Sequence, residues 1–130
     1  MTSGVLLDTH IWAWSMSNSA KLSTTAQDAL AEAETRAVSP VSVFDIAQKV
    51  RLGKWDEMAA LVPTLVDAVA EQSAIWADVT PEIAHLAGVL DWTHRDPFDR
   101  LIAATALVNG WVLISADTAF DSLPGLRRLW

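Results

Sequence analysis

Short apolar runs alternate along the chain with longer segments whose apolar residues recur at helical spacing. The short runs predict strands buried on both faces, as in a parallel sheet. These predicted strands cover residues 4–8, 37–40, 74–79 and 111–115, with a short edge strand at 127–129. Between them, Ile83, Leu86 and Leu90 illustrate the helical spacing, because they fall on one face of a helix.

Turn and cap residues set the bounds of the predicted helices. They cover residues 24–34, 42–52, 56–72, 80–90 and 96–109. We expect Pro63 to divide the third of these, because a proline ring cannot sit in a helix interior without a break. Residues 9–16, with Trp12 and Trp14, are assigned to no element, and residues 17–23 are interpreted as a polar connection with turn and cap residues.

This alternation predicts an α/β fold. Strands joined by helices form right-handed crossovers, which give a central parallel sheet of four to five short strands with helices on both faces. The 130 residues fit one domain, covering residues 1–130. Ligands of such sheets bind beyond the carboxyl ends of the strands, so chemistry is expected at that edge.

The amino-acid composition excludes several kinds of site and bears on where the protein acts. The chain has no cysteine, which excludes disulfide scaffolds, thiolate zinc sites and cysteine nucleophiles. No apolar run is long enough to span a bilayer, and no Lys or Arg precedes the first apolar run, so we expect a cytoplasmic protein without membrane contact. A net charge of −7 opposes non-specific binding to nucleic acid, unless bound cations invert the local field.

Four aspartates are expected at the carboxyl edge of the sheet. Asp8 and Asp117 lie at or just past predicted strand ends, whereas Asp45 and Asp99 lie in the first turns of predicted helices. Clustered carboxylates repel one another, and divalent cations that prefer oxygen ligands, Mg²⁺ or Mn²⁺, relieve this repulsion. Such ions activate water for phosphodiester hydrolysis.

Each acid taken alone also has a structural explanation. Asp45 completes a predicted capping box with Ser42, and Asp99 completes a second one with Asp96 as the helix cap. Asp8 could cap the following turn, and Asp117 could be a turn aspartate. Only the convergence of the four favours catalysis.

The neighbouring polar residues leave alternatives open. Thr9 and Ser115 could orient carboxylates or simply stabilise turns. Arg100 is expected to pair with Asp96 or another nearby acid, whereas Arg95 is a candidate for contacting the substrate backbone. His10 and His94 are left without a catalytic role, because a carboxylate-metal nuclease does not require imidazole.

A basic cluster and an aromatic cluster are candidate binding surfaces. Interaction with the helix C-terminal dipole explains part of the basic cluster, and binding of RNA or an acidic partner segment is the alternative. Core packing is expected to claim at least two of the aromatic residues, and the others are candidates for contact with a partner helix. The basic cluster comprises Lys49, Arg51 and Lys54, and the aromatic cluster comprises Trp12, Trp14, Phe44 and Trp55.

Four motifs together resemble the PIN-domain family, in particular the toxins of bacterial VapBC type II toxin–antitoxin systems. The resemblance implies that Asp8, Asp99 and Asp117 bind the metal ions, with Asp96 serving as helix cap and acceptor behind them. The fourth acid falls on Asp45, where the family commonly has glutamate, so its contact with the metal is direct or through a water. The matching motifs are residues 6–12 (LLDTHIW), 39–47 (SPVSVFDIA), 94–106 (HRDPFDRLIAATA) and 115–118 (SADT).

The resulting hypothesis is an Mg²⁺- or Mn²⁺-dependent endoribonuclease toxin that hydrolyses RNA. The resemblance implies a cognate antitoxin covering the acidic edge, a homodimer, and a higher toxin–antitoxin assembly. One alternative is a non-catalytic protein-interaction module, favoured by Asp45 in the glutamate position and by the net charge of −7. A nuclease that cleaves DNA by the same chemistry is another.

Overall fold

Within residues 4–130, the central sheet has five strands, all parallel. The computed structural model describes residues 4–130. The strand order is β3-β2-β1-β4-β5, with each neighbouring pair parallel, so the predicted α/β architecture is confirmed. The strands are β1 (Gly4–Leu7), β2 (Thr35–Val38), β3 (Ile75–Trp76), β4 (Val112–Ile114) and β5 (Arg128–Leu129).

In the described part of the chain, six α-helices connect or flank these strands, together with short 3-10 segments. The helices are α1 (Thr9–Ser17), α2 (Thr24–Glu32), α3 (Pro40–Arg51), α4 (Leu65–Glu71), α5 (Pro81–Val89) and α6 (Pro97–Asn109). The 3-10 segments are Ser19–Lys21, Asp56–Thr64 and Thr118–Ser122. The expected break at Pro63 is confirmed, because this residue lies in a 3-10 segment and α4 begins only at Leu65.

Helix α1 was not predicted from the sequence. Residues 9–16, which were assigned to no element, are helical together with Ser17, and Asp8 is the N-cap, its side chain accepting a hydrogen bond from the Thr9 backbone N–H. The apolar and aromatic residues of α1 do not form one clear stripe, because Ile11, Trp12 and Ala13 are consecutive and all buried. Tertiary packing therefore stabilises a helix that periodicity did not reveal.

The predicted capping box at Ser42 and Asp45 is wrong. Helix α3 begins earlier, at Pro40, and Ser39 is its N-cap, with Oγ accepting from the Val41 backbone N–H at 3.2 Å. A proline at the first helical position explains the earlier start, because its fixed φ suits the helix and its missing N–H needs no partner. Asp45 consequently lies in the second turn, inside the helix.

The bounds of α6 follow from its caps, as predicted. Asp96 is the N-cap, its Oδ1 accepting from the Phe98 backbone N–H at 2.9 Å, and Pro97 is the first helical residue. At the other end Gly110 adopts the left-handed conformation with φ of 68°, which favours glycine. The first turn of α6 thus holds Asp99 at a defined position beside the sheet.

The core lies on both faces of the sheet. Val5 and Leu7 of β1 point to one face, where they pack in a cluster that includes Ile46 of α3. Leu6 points to the other face and packs against Ile102 of α6. Helices therefore cover both faces, as predicted, and leave the carboxyl edge of the sheet open.

Within residues 4–130, none of the helices combines the length and apolar character needed to cross a membrane.

Candidate active site

Strand register brings the site residues to one level at the carboxyl edge of the sheet. Leu7 pairs with Val38 of β2 and with Ile114 of β4. The residues that follow these three, Asp8, Ser39 and Ser115, therefore leave the sheet side by side. The two helices that begin near this edge, α3 and α6, add Asp45 and Asp99.

Asp8 is buried at the centre of the site, with 7% of its surface exposed. Its Oδ1 accepts from the Thr9 backbone N–H at 2.8 Å, and its Oδ2 accepts from Ser115 Oγ at 2.7 Å. Burial raises the pKa of Asp8 above its ordinary value, and the charge of Asp117 adds to the rise, whereas the two hydrogen bonds oppose it. The carboxylate is thus held in place but would gain from a nearby cation.

Asp99 is held by a histidine to which the sequence assigned no role. Its Oδ2 lies 2.6 Å from Nε2 of His94, whose ring packs against Trp92 at a centroid distance of 4.9 Å. Burial raises the pKa of Asp99 to about 6, and the charges of Asp8 and Asp96 contribute, although the hydrogen bond with His94 opposes the rise. The five-residue separation of His94 and Asp99 across a helix cap was the signal that could have indicated this contact.

Asp45 and Asp117 complete the set of predicted acids. Asp45 is buried and pairs with Lys49, one turn later on α3, with Nζ 3.3 Å from Oδ1. Asp117 is exposed and caps the 3-10 segment after β4, its Oδ1 accepting from the Ala119 backbone N–H at 2.9 Å. Ser115 Oγ accepts from the backbone N–H of Asp117 at 3.0 Å and so links it to Asp8.

These side chains line one cavity of about 390 Å³, here called the acidic cavity. The four predicted acids therefore come together although they lie far apart in sequence. The cavity is lined by Asp8, Thr9, His10, Trp14, Asp45, Lys49, Asp96, Asp99, Ala116 and Asp117.

The donor chemistry of the acidic cavity fits a hard divalent cation, because its acids offer only oxygen ligands. Burial is the main cause of the raised pKa values of Asp8 and Asp99, and a bound cation would favour their ionised forms. Across residues 4–130, however, no three acidic or histidine side chains form a group able to hold a metal as they stand. Each of the four acids also has a protein partner: Asp45 pairs with Lys49, Asp99 pairs with His94 through Oδ2, and hydrogen bonds hold Asp8 and Asp117.

Several other predicted residues have different surroundings from those expected. Ser115 does orient Asp8, but the hydroxyl of Thr9 bonds Ser42 Oγ at 2.8 Å rather than a carboxylate. Of the basic cluster, Lys49 lines the acidic cavity, while Arg51 lines a separate surface pocket beside Phe44.

The predicted ion pair of Arg100 with Asp96 or another acid is wrong. The guanidinium donates instead to backbone carbonyl oxygens in the last turn of α5 and in the segment between α5 and α6, at distances of 2.6 to 2.9 Å. One of these is the carbonyl of His94, so Arg100 fixes the segment that carries the partner of Asp99. Arg95, the candidate for substrate contact, lines a neighbouring pocket between α5 and α6. The carbonyls accepting from Arg100 belong to Ala87, Leu90, Trp92 and His94.

The aromatic cluster is divided between core and surface. Trp12 was a candidate for partner contact, but it is fully buried, so this assignment is corrected to a core residue. Trp55 is 9% exposed, which confirms that core packing claims at least two of the four. Phe44 is exposed and packs against Phe98 of α6, whereas Trp14 lines the acidic cavity.

Comparison with known proteins identifies the family of the chain. The family model described as PIN domain matches residues 5–126. The chain is also 34% identical over 121 residues to Ribonuclease VapC22 of Mycobacterium tuberculosis, an alignment covering 91% of this chain and 90% of that protein. The chain therefore belongs to the PIN-domain family, in the group of the VapC toxins, which confirms the predicted resemblance.

Solved structures share the fold. The chain superposes on a DNA-bound VapBC of Salmonella typhimurium with a TM-score of 0.70 at 17% identity, covering 99% of this chain and 98% of that one. For VapBC2 of Rickettsia felis bound to a promoter DNA fragment, the TM-score is 0.66 at 16% identity, with 97% of both chains covered. A toxin–antitoxin complex of Klebsiella pneumoniae gives 0.62 at 20% identity, with 94% of each chain covered.

Proposed function

We propose that this chain is an endoribonuclease toxin that hydrolyses RNA phosphodiesters with the help of Mg²⁺ or Mn²⁺. The observation that carries this proposal is the convergence of four carboxylates, from Asp8, Asp45, Asp99 and Asp117, on one cavity. Its similarity to a relative named a ribonuclease supports RNA as the substrate.

The residues of the acidic cavity have distinct tasks in this proposal. Asp8, Asp99 and Asp117 would hold the cation, with Asp45 contacting it directly or through a water. A divalent cation bound there lowers the pKa of a water and neutralises charge that develops on the phosphate. Ser115 keeps Asp8 oriented, and His94 keeps Asp99 directed into the cavity.

Cleavage of a labelled single-stranded RNA with added Mn²⁺ tests the proposal. We expect EDTA to abolish cleavage, and Asp8→Asn or Asp99→Asn to reduce its rate by about 100-fold or more, because several kcal/mol of charge stabilisation are lost. Asp28→Asn is the matched control, since Asp28 is exposed on α2, outside the acidic cavity. Cleavage that persists in EDTA would disprove the metal mechanism, and a matched DNA strand tests whether the chain prefers RNA.

One observation favours a second candidate, a non-catalytic protein-interaction module. Within the described chain, no group of acids is ready to hold a metal, and Asp45 is already neutralised by Lys49. Isothermal titration with Mn²⁺ separates the two candidates. Binding that is lost in Asp8→Asn supports the nuclease, whereas no heat of binding in the native chain supports the interaction module.

We also propose that the chain pairs with a cognate antitoxin that covers the acidic cavity, that it forms a homodimer within a larger toxin–antitoxin assembly, and that it acts in the cytoplasm. Membership of the VapC group supports this partner. The exposed Phe44, 56% accessible beside Phe98, is a candidate contact for a partner chain. Light scattering after size-exclusion chromatography, with Phe44→Ala as the test variant, measures whether the chain dimerises.

A further inference from the structure

One wall of the acidic cavity is aromatic rather than acidic. His10 and Trp14 both line the cavity, four residues apart on α1, so they share one face of that helix. Their rings meet edge to face at a centroid distance of 5.8 Å. Helix α1 begins immediately after Asp8, which places this aromatic wall next to the most buried acid of the site.

The rings of the aromatic wall are supported from behind. Trp55, itself buried, stacks on His10 with centroids 4.6 Å apart and an angle of 29° between the rings. Trp130 packs against Trp14 at 6.1 Å. Neither ring of the wall is therefore free to reorient widely, so a planar ligand that stacks on it would meet a preorganised surface.

Two lysines flank the aromatic wall. Nζ of Lys21 lies 5.7 Å from the centre of the Trp14 ring, and Nζ of Lys49 lies 5.5 Å from that of Trp55. Both lysines also pair with carboxylates, Lys21 with Glu57 at 3.5 Å and Lys49 with Asp45 at 3.3 Å, so a backbone that carries phosphates would compete with these ion pairs. Aromatic rings with lysines beside them are features with which proteins bind single-stranded nucleic acid.

We propose that His10 and Trp14 bind an unpaired nucleobase of the RNA strand next to the phosphodiester that enters the acidic cavity. The inference rests on the proposed ribonuclease function and adds a base-binding contact beside the acidic cavity. A base in a duplex is stacked on its neighbours and cannot lie flat against the wall, so paired RNA should bind poorly. The cavity of about 390 Å³ lies within the range of volumes that hold small ligands.

The test measures binding separately from cleavage. A fluorescently labelled single-stranded RNA, and the same strand made entirely of abasic nucleotides, are titrated with Asp99→Asn protein in Mg²⁺ while anisotropy is recorded. Four second-site variants are compared in this background. His10→Ala removes an exposed ring, and Trp14→Leu removes the π face but retains apolar bulk. Trp14→Phe retains a smaller ring. The control is Val66→Ala, which trims a side chain that is 67% exposed on α4, outside the cavity.

We expect His10→Ala and Trp14→Leu each to weaken binding of the intact RNA by about tenfold, the order of one base-stacking contact. Trp14→Phe should retain most of the affinity, Val66→Ala should change nothing, and the abasic strand should bind all variants equally weakly. In the protein with Asp99 intact, the loss should appear as a higher KM with kcat preserved.

Two results would overturn the inference: unchanged binding of intact RNA by both His10→Ala and Trp14→Leu, or equal weakening of the intact and abasic strands. If the proposed ribonuclease function were wrong, the experiment would give a different result. In that case the affinity still depends on the bases and on Trp14, but the protein with Asp99 intact cleaves no RNA.

Discussion

At the scale of single residues, the acids of the cavity are constrained by partners that the sequence did not indicate. Asp99 pairs with His94, and Asp45 pairs with Lys49. Such contacts orient a carboxylate, yet they also compete with a cation for the same oxygens. Mutation of these partners can therefore show whether orientation of the carboxylate or competition with the cation has the larger effect on cation binding.

We predict that His94→Ala lowers cleavage and Mn²⁺ affinity by about tenfold, because Asp99 loses the partner that directs it into the cavity. His94→Gln, which retains a donor, should recover part of the loss. Kinetics on labelled RNA and isothermal titration with Mn²⁺ measure the two effects. The control is Thr93→Ala, since Thr93 is exposed and adjacent. Native behaviour of His94→Ala in both measurements would show that Asp99 needs no such positioning.

A second residue-scale prediction concerns pH. In the folded protein without metal the pKa of Asp99 is about 6, above its ordinary value of 3.8, so the folded state binds the proton more tightly than the unfolded state. The stability contributed by the protonated group is complete below about pH 4 and is lost as the pH rises through 6. Asp99→Asn, which cannot ionise, should therefore be more stable than the native chain at pH 8 by up to about 3 kcal/mol, and by much less at pH 4.5.

Urea denaturation in EDTA at the two pH values measures this difference. Asp28→Asn on the exposed face of α2 provides the control and should show no such pH dependence. A stability difference for Asp99→Asn that is the same at both pH values would contradict the pH prediction.

At the scale of elements, β1 and the residues after it organise the site. The strand is buried along its whole length, its register with β2 and β4 sets the level of the carboxyl edge, and its last residue leads directly into Asp8 and α1. Close packing around this strand is visible at Gly4, where an added Cβ would lie 2.3 Å from Cδ1 of Trp111. The strand therefore requires a residue without a side chain at that position.

We expect Gly4→Ala to destabilise the protein by about 1–3 kcal/mol, because the Trp111 ring must move to make room. Gly88→Ala on α5 is the matched control, since an added Cβ there meets no atom within 4 Å. It should be neutral or stabilise the helix by up to about 1 kcal/mol. Thermal and urea unfolding compare the two variants, and equal stability of Gly4→Ala and the native chain would show that the ring yields freely.

At the scale of the whole molecule, the acidic cavity is a product of the fold. Its acids come from the end of β1, from α3, from α6 and from the segment after β4, so nearly the full length of the chain contributes. A cation that joins these elements binds the folded state and not the unfolded one. Binding should then stabilise the molecule as a whole.

Saturating Mn²⁺, at about 100 times its dissociation constant, should stabilise the native chain by about 2.7 kcal/mol. Asp8→Asn should lose this gain, because its carboxylate lies at the centre of the site. Differential scanning calorimetry with Mn²⁺ and with EDTA measures both. An equal increase in Tm for the native chain and for Asp8→Asn would place the bound ion elsewhere.

Much of the architecture could be predicted because it depends on local patterns. Apolar runs indicated all five strands, although the segment 74–79 contributes only Ile75–Trp76. The cap and proline at Asp96 and Pro97 correctly indicated the start of α6. Helix α1 and the start of α3 were missed, because consecutive buried residues in α1 conceal its periodicity and Ser42 resembles a cap.

The sequence by itself determined the parallel α/β class, the family motifs and the four candidate acids, because strand periodicity, helix caps and residue chemistry are all local properties. Only the tertiary structure decided which side chains meet. It paired His94 with Asp99, turned Arg100 towards backbone carbonyls, buried Trp12 and set Trp14 beside the acids. The physical reason is that such contacts depend on strand register and helix packing, which join residues that are distant along the chain.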